Sequence, residues 1–121
     1  MRLVTLKRRP DFLRVRGGSR WTTPGFVLEA RSRAETGDVP STARFGFTVT
    51  KQTGKAIVRN RIRRRLKAVV RETAAEHART EFDYVVFARP AAFDRRFADL
   101  TSDLIKAFAC IHRGKAGRRG R

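Results

Sequence analysis

Apolar residues recur along this chain at two spacings, and the spacing changes mark the elements. Val58, Ile62, Leu66, Val69 and Thr73 follow one another at steps of four, four, three and four, the repeat of a single helix face, widened by Val70. Asn60, Arg61, Arg63, Arg64, Arg65, Lys67 and Arg71 cover the rest of that helix, which the pattern carries to about residue 77. Three stretches alternate or run apolar like strands. Trp21 to Ala30 sets Phe26, Leu28 and Ala30 against Val27 and Glu29. Arg44 to Thr50 sets Phe45, Phe47 and Val49 on a core face, with Arg44, Gly46, Thr48 and Thr50 on a small, polar, basic one. Phe82 to Ala88 is nearly continuous apolar sequence, as for a strand covered on both faces.

Two further helices frame these. A short one spans about 10–16, opened by Pro10-Asp11 and stopped by Gly17-Gly18, with Phe12 and Val15 on one side. The last spans about 94–110, where Phe93, Phe97, Leu100, Leu104, Ala107, Phe108 and Ile111 repeat at helical intervals. Residues 1–9 read as basic and loose at the start, and 31–42 as a mobile polar loop without a part in mechanism. Gly54 gives the backbone freedom at the turn into the basic helix. The order predicts an α/β (α+β) two-layer sandwich, a small mixed sheet with about three helices and a crossover through the basic helix. A single domain over 1–111 is followed by a disordered cationic tail, 112–121.

Charge narrows the function. The 121 residues hold 29 Lys or Arg against 11 Asp or Glu, a net charge of +18. From Lys51 to Arg71, nine residues are basic and none is acidic. A helix that only needed solubility would mix Glu among them for i,i+4 pairing; uniform Arg repels itself and calls for an anionic partner. Arg supplies most of the charge, and its planar fork suits phosphate. No apolar run approaches the length of a membrane span, and the N-terminus lacks the pattern of a secretory signal, so a cytoplasmic protein without a membrane partner is expected. The lone Cys110 excludes an internal disulfide and reads as a small core residue.

Catalytic chemistry is not written in the side chains. The acids, Asp83 among them, are scattered without a convincing acid–base or two-metal pair. His77 and His112 fall at a helix end and in the tail, and no phosphate-loop motif is present. The basic constellation has three parts: the helix, the tail, and an N-terminal cluster of Arg2, Lys7, Arg8, Arg9, Arg14, Arg16 and Arg20. Phe12 and Trp21 lie among them, and aromatic-plus-basic surfaces bind single strands by stacking and charge. Phe12 suits a core or a binding surface equally; Trp21 reads first as a strand-edge anchor.

The stretch R-F-G-F-T-V-T-K-Q-T-G-K-A-I-V-R-N-R-I-R-R-R-L-K, residues 44–67, closely resembles the signature of the protein subunit of bacterial ribonuclease P. Arg59-Asn60-Arg61 forms its centre, with Lys51 and Gly54 at the family's spacing. Asp11-Phe12, Phe26-Val27-Leu28, the Tyr84 to Arg89 strand and the last helix fit the family order, so the likeness covers about 105 residues. It implies a left-handed βαβ crossover and a noncatalytic partner of a large RNA that, with bound magnesium, removes the 5′ leader of precursor tRNA. It further implies that Lys51, Lys55, Arg59, Asn60, Arg61, Arg63, Arg64, Arg65 and Lys67 contact the catalytic RNA. The leader would lie in a cleft with Phe12, Arg16, Arg44, Thr48 and Thr50. The protein would be a monomer within the ribonucleoprotein. Arg16 and Glu29 stand where the family often has aromatic residues, which points to less stacking and, at Glu29, to a metal ion or a cation as neighbour. A structural ribosomal-type RNA-binding protein and a self-sufficient nuclease are the competing classes.

Overall fold

The computed structural model describes residues 3–33, 42–113 and 117–118. In chain order it contains α1 (Arg9–Val15), β1 (Ser19–Thr22), β2 (Phe26–Ser32), β3 (Arg44–Thr48), α2 (Ala56–His77), β4 (Phe82–Ala88), α3 (Phe97–His112) and β5 (Gly117–Arg118). Short 3₁₀ turns at Lys51–Thr53 and Pro90–Phe93 lead into the two long helices. The strands order as β3-β4-β2-β1-β5. β3 and β4 are parallel, joined through α2 as the sequence pattern requires, and the other pairs are antiparallel.

Alternation along β4 explains the layers. Tyr84, Val86 and Ala88 join Phe26, Leu28, Ala30 and Phe45 in the main core, beneath Ile62, Leu66, Val69 and Val70 of α2 and Leu100, Leu104 and Phe108 of α3. Tyr84 lies at its centre, stacked on Phe45 at 4.9 Å and edge-on to Phe108 at 5.2 Å. Cys110 and Thr73 are buried with the apolar stripes, and Trp21 packs on this core, as its anchor reading expects. The other face carries a smaller cluster, Leu6, Val15 and Val85 with Phe12, so α1 alone covers part of it. The rest of that face is open.

Several boundaries differ from the sequence pattern. The first predicted strand is two strands. Thr23 closes the hairpin between them, its Oγ1 donating to the Phe26 carbonyl at 2.9 Å, and Pro24 interrupts the ladder. The N-terminal segment is not loose where it is described. Thr5 bridges Phe45 in parallel, the Leu6 N–H donates to the Phe45 carbonyl at 2.8 Å, and Leu6 is buried. The last helix starts at Phe97; Phe93 belongs to the preceding turn and is exposed instead of packed on the sheet. His112 is the last residue of α3, not the start of a tail, and it pairs with the Tyr84 hydroxyl at 2.6 Å. Gly117–Arg118 pair with β1, although the pattern there suggested no structure. The remainder of the expected tail and residues 34–41 of the expected mobile loop lie outside the described residues.

Candidate nucleic-acid interface

Between α1 and the open sheet face lies a cleft of about 380 Å³, lined by Lys7, Arg9, Phe12, Leu13, Arg16, Glu29, Thr48, Val85 and Phe87. Its construction follows from strand register. Gly46 and Val85 are partners, as are Thr48 and Phe87, so the small residues of β3 lie beside the apolar ones of β4. Phe12 reaches the sheet because Gly46 has no side chain: a Cβ there would stand 2.4 Å from the Phe12 ring. Phe12 packs on the Leu6, Val15 and Val85 cluster and also lines the cleft. Arg16, Glu29 and Phe87 also line a second hollow of about 330 Å³ with Arg20, Val27 and Arg89, which extends the cleft into a groove along the sheet. The groove has an apolar floor and a basic rim. Glu29, opposite Arg20 in the β1–β2 register, is its one carboxylate and is buried.

Of the residues expected in the cleft, Phe12, Arg16 and Thr48 line it. Arg44 and Thr50 do not. Arg44 shares the open face, but its guanidinium is held by Asp83, Nε to Oδ1 at 2.8 Å and Nη2 to Oδ2 at 2.7 Å. Asp83 is fully buried and also accepts from Arg14 of α1 at 2.9 Å and from Arg33 at 2.8 Å. Burial alone would raise its carboxyl pKa; hydrogen bonds from Arg44, Arg33 and Arg14 outweigh that and hold it below the ordinary carboxylate range. This ion cluster ties α1, the end of β2 and β3 to β4, and so fixes one wall of the cleft. Arg33, in the segment expected to be mobile, is buried here and also binds the carbonyls of Thr42 and Thr80.

The second surface is the outer side of α2. Gly54, at φ 150°, makes the turn that aims the helix, and no side chain caps the N-terminus at Lys55. Lys51, Lys55, Asn60, Arg61 and Arg64 are exposed, while Arg59, Arg63, Arg65 and Lys67 are half-buried. They divide into two kinds. Arg65 donates through both terminal nitrogens to the carbonyls of Ala92 and Arg95, and Arg61 donates Nε to the Phe93 carbonyl at 3.0 Å with its guanidinium over the Phe93 ring. These two arginines hold the turn after β4. Asn60, Arg63, Arg64 and Lys67, by contrast, surround a shallow hollow with Ile57. Lys67 also lies over the Phe47 ring at 5.8 Å. The sequence pattern singled out Lys7 and Arg9 as part of the N-terminal basic cluster, but not Ile57, nor the cleft residues Leu13, Val85 and Phe87. Only the sheet order, which no local pattern carries, brings the last two opposite α1.

Among the described residues, no three His, Cys, Asp or Glu side chains gather where they could hold a metal ion, and no helix is long and apolar enough to cross a membrane.

Comparison with known proteins agrees with this architecture. The family model described as Ribonuclease P matches residues 1–112. The ribonuclease P protein component of Brucella suis is 39% identical over 122 aligned residues, 95% of this chain and 84% of that one. Its counterpart from Gluconacetobacter diazotrophicus is 42% identical over 116, covering 95% and 92%. The solved RNase P protein of Staphylococcus aureus shares the fold, with a TM-score of 0.70 at 24% identity over 89% of this chain and 94% of that chain. The chain belongs to the ribonuclease P protein family, the protein component of a ribonucleoprotein endoribonuclease.

Proposed function

We propose that this subunit binds the catalytic RNA of ribonuclease P through the outer face of α2 and holds the single-stranded 5′ leader of precursor tRNA in the cleft beside α1. The observation that carries the reading is the cleft itself, a floor of Phe12, Leu13, Val85 and Phe87 rimmed by Lys7, Arg9 and Arg16. A single strand offers base faces to such a floor and phosphates to such a rim. Lys51 and Lys55 in the turn before α2, and Asn60, Arg63, Arg64 and Lys67 on it, are the RNA contacts, with Arg59 at their edge and the outer nitrogens of Arg61 contributing. Arg65 serves the fold. Of the expected leader residues, Arg44 acts through Asp83 by holding the wall, and Thr50 precedes the Lys51–Thr53 turn outside the cleft lining. No protein side chain performs hydrolysis. Magnesium belongs with the RNA: the groove's one carboxylate, Glu29, lies among cations and is not the oxygen-rich donor set that magnesium takes. The protein acts as a monomer within a cytoplasmic ribonucleoprotein.

Cleavage of precursor tRNA at low magnesium, with the protein, a bacterial ribonuclease P RNA or both, tests this reading. Activity only with both is expected. Cleavage by protein alone would reveal a catalytic site in the chain, and no effect of the protein on the RNA would favour a ribosomal-type binding role. Phe12→Leu, which keeps packing on Val85, should weaken precursor binding by roughly tenfold while leaving mature tRNA binding unchanged. Equal losses for both would confine Phe12 to the core.

A further inference from the structure

The most exposed large apolar side chain among those described is Ile57, 80% exposed in the first turn of α2. At 100° per residue it stands opposite the buried stripe Ile62, Leu66, Val69 and Thr73, at the middle of the outward face. Its neighbours in a hollow of about 440 Å³ are Asn60, Arg63, Arg64 and Lys67. Arg63 donates Nη1 to Asn60 Oδ1 at 3.0 Å, which orients the amide so that its NH₂ is left to donate outward.

A helix that met only the backbone of an RNA duplex would gain nothing from isoleucine at this place. Duplex RNA presents phosphates and 2′-hydroxyls, and a cation or amide would serve better. An unpaired nucleobase is different: it has an apolar face to bury, edge acceptors for an amide, and phosphates on both sides. We propose that Ile57 is the floor of a subsite for one unstacked nucleotide of the RNA partner. Its base lies on Ile57, its edge meets the Asn60 amide, and its flanking phosphates meet Arg63, Arg64 and Lys67. This deepens the reading that α2 binds the catalytic RNA, and rests on it. The face therefore selects a bulge, loop or junction in preference to a continuous helix.

The test is equilibrium binding of the full chain to ribonuclease P RNA and to a blunt RNA duplex, each across a range of salt concentrations, for wild type, Ile57→Ala and Ile57→Lys. Because Ile57 is exposed, both variants keep the fold. Ile57→Ala should lose about tenfold in affinity for ribonuclease P RNA with an unchanged salt slope, and nothing on the duplex. Ile57→Lys should also bind ribonuclease P RNA more weakly than wild type despite its added charge. Wild-type affinity in Ile57→Ala, or tighter binding with a steeper salt slope in Ile57→Lys, would overturn the subsite and leave a face that reads charge alone. If the wild type itself fails to prefer ribonuclease P RNA over the duplex, the reading of α2 falls and the subsite with it; that result needs no variant to be recognised.

Discussion

At the scale of single residues, Asp83 shows how far a side chain's environment can depart from its appearance in sequence. It reads as one acid among several scattered along the chain. Its three guanidinium partners lie 69, 50 and 39 residues away in sequence, and only the folded sheet brings them together. Neutralising Asp83 leaves three cations facing a buried amide. Asp83→Asn should therefore lower stability by about 3 kcal/mol in urea unfolding at neutral pH. The carboxyl pKa is depressed on folding, so this contribution is present above the ordinary Asp value of about 4 and is lost as pH falls through the lower folded value. A loss no larger than the roughly 0.5 kcal/mol of an ordinary surface change would mean that the cluster is held by the packing around it. The aromatic at the cleft, Phe12, was legible from its family position, but its support was not: Gly46 makes room for the ring because of a strand register that no local pattern encodes.

At the scale of elements, α2 was the most legible part of the chain. Its buried stripe, its basic side and its end at residue 77 follow from periodicity, because 22 residues give many repeats to average over. The bounds of β4 were equally clear, but its near-continuous apolar run suggested cover on both faces, whereas Phe87 is exposed in the cleft. The elements misjudged are short or interrupted: a hairpin around Pro24 taken for one strand, and the approach to the last helix, expected to start at about 94 with Phe93 in its apolar stripe, where a 3₁₀ turn holds Phe93 and the helix starts at Phe97. The second error hid a division of labour on α2, since that turn is what engages Arg61 and Arg65. Arg65→Ala should cost roughly 2 kcal/mol of stability, because two carbonyls lose charge-assisted donors. Arg64→Ala should stay within about 0.5 kcal/mol of wild type in stability, yet reduce the salt slope of RNA binding by about one. Urea unfolding and salt-dependent RNA titration of the two variants separate these outcomes. The reverse pattern would make Arg65 the RNA contact and Arg64 the structural residue.

At the scale of the molecule, stability and RNA binding should answer differently to acid. The surfaces proposed to bind RNA draw their charge from Lys and Arg, which do not titrate below neutrality. The fold, however, closes on a histidine. His112, at the end of α3, faces the Tyr84 hydroxyl at 2.6 Å and the Phe82 ring at 4.7 Å. The Tyr84 oxygen accepts from the Arg79 N–H and pairs with His112 Nε2, where burial disfavours the charged imidazolium. Burial first, and then Arg79, push the His112 pKa down to about 4. Its contribution is therefore complete above the ordinary value of about 6.5 and declines as pH falls toward the folded value, because the unfolded chain binds the proton first. After allowance for the solvent reaching this half-buried ring, the loss between pH 7 and pH 4.5 should be about 1–2 kcal/mol. His112→Gln should flatten the stability profile over that window, ahead of the more acidic loss owed to Asp83. The affinity of the folded protein for RNA should stay level through the same range. A parallel fall in affinity while the protein remains folded would mean that the end of α3 reaches the RNA; an unflattened stability profile in His112→Gln would assign the loss to the carboxylates.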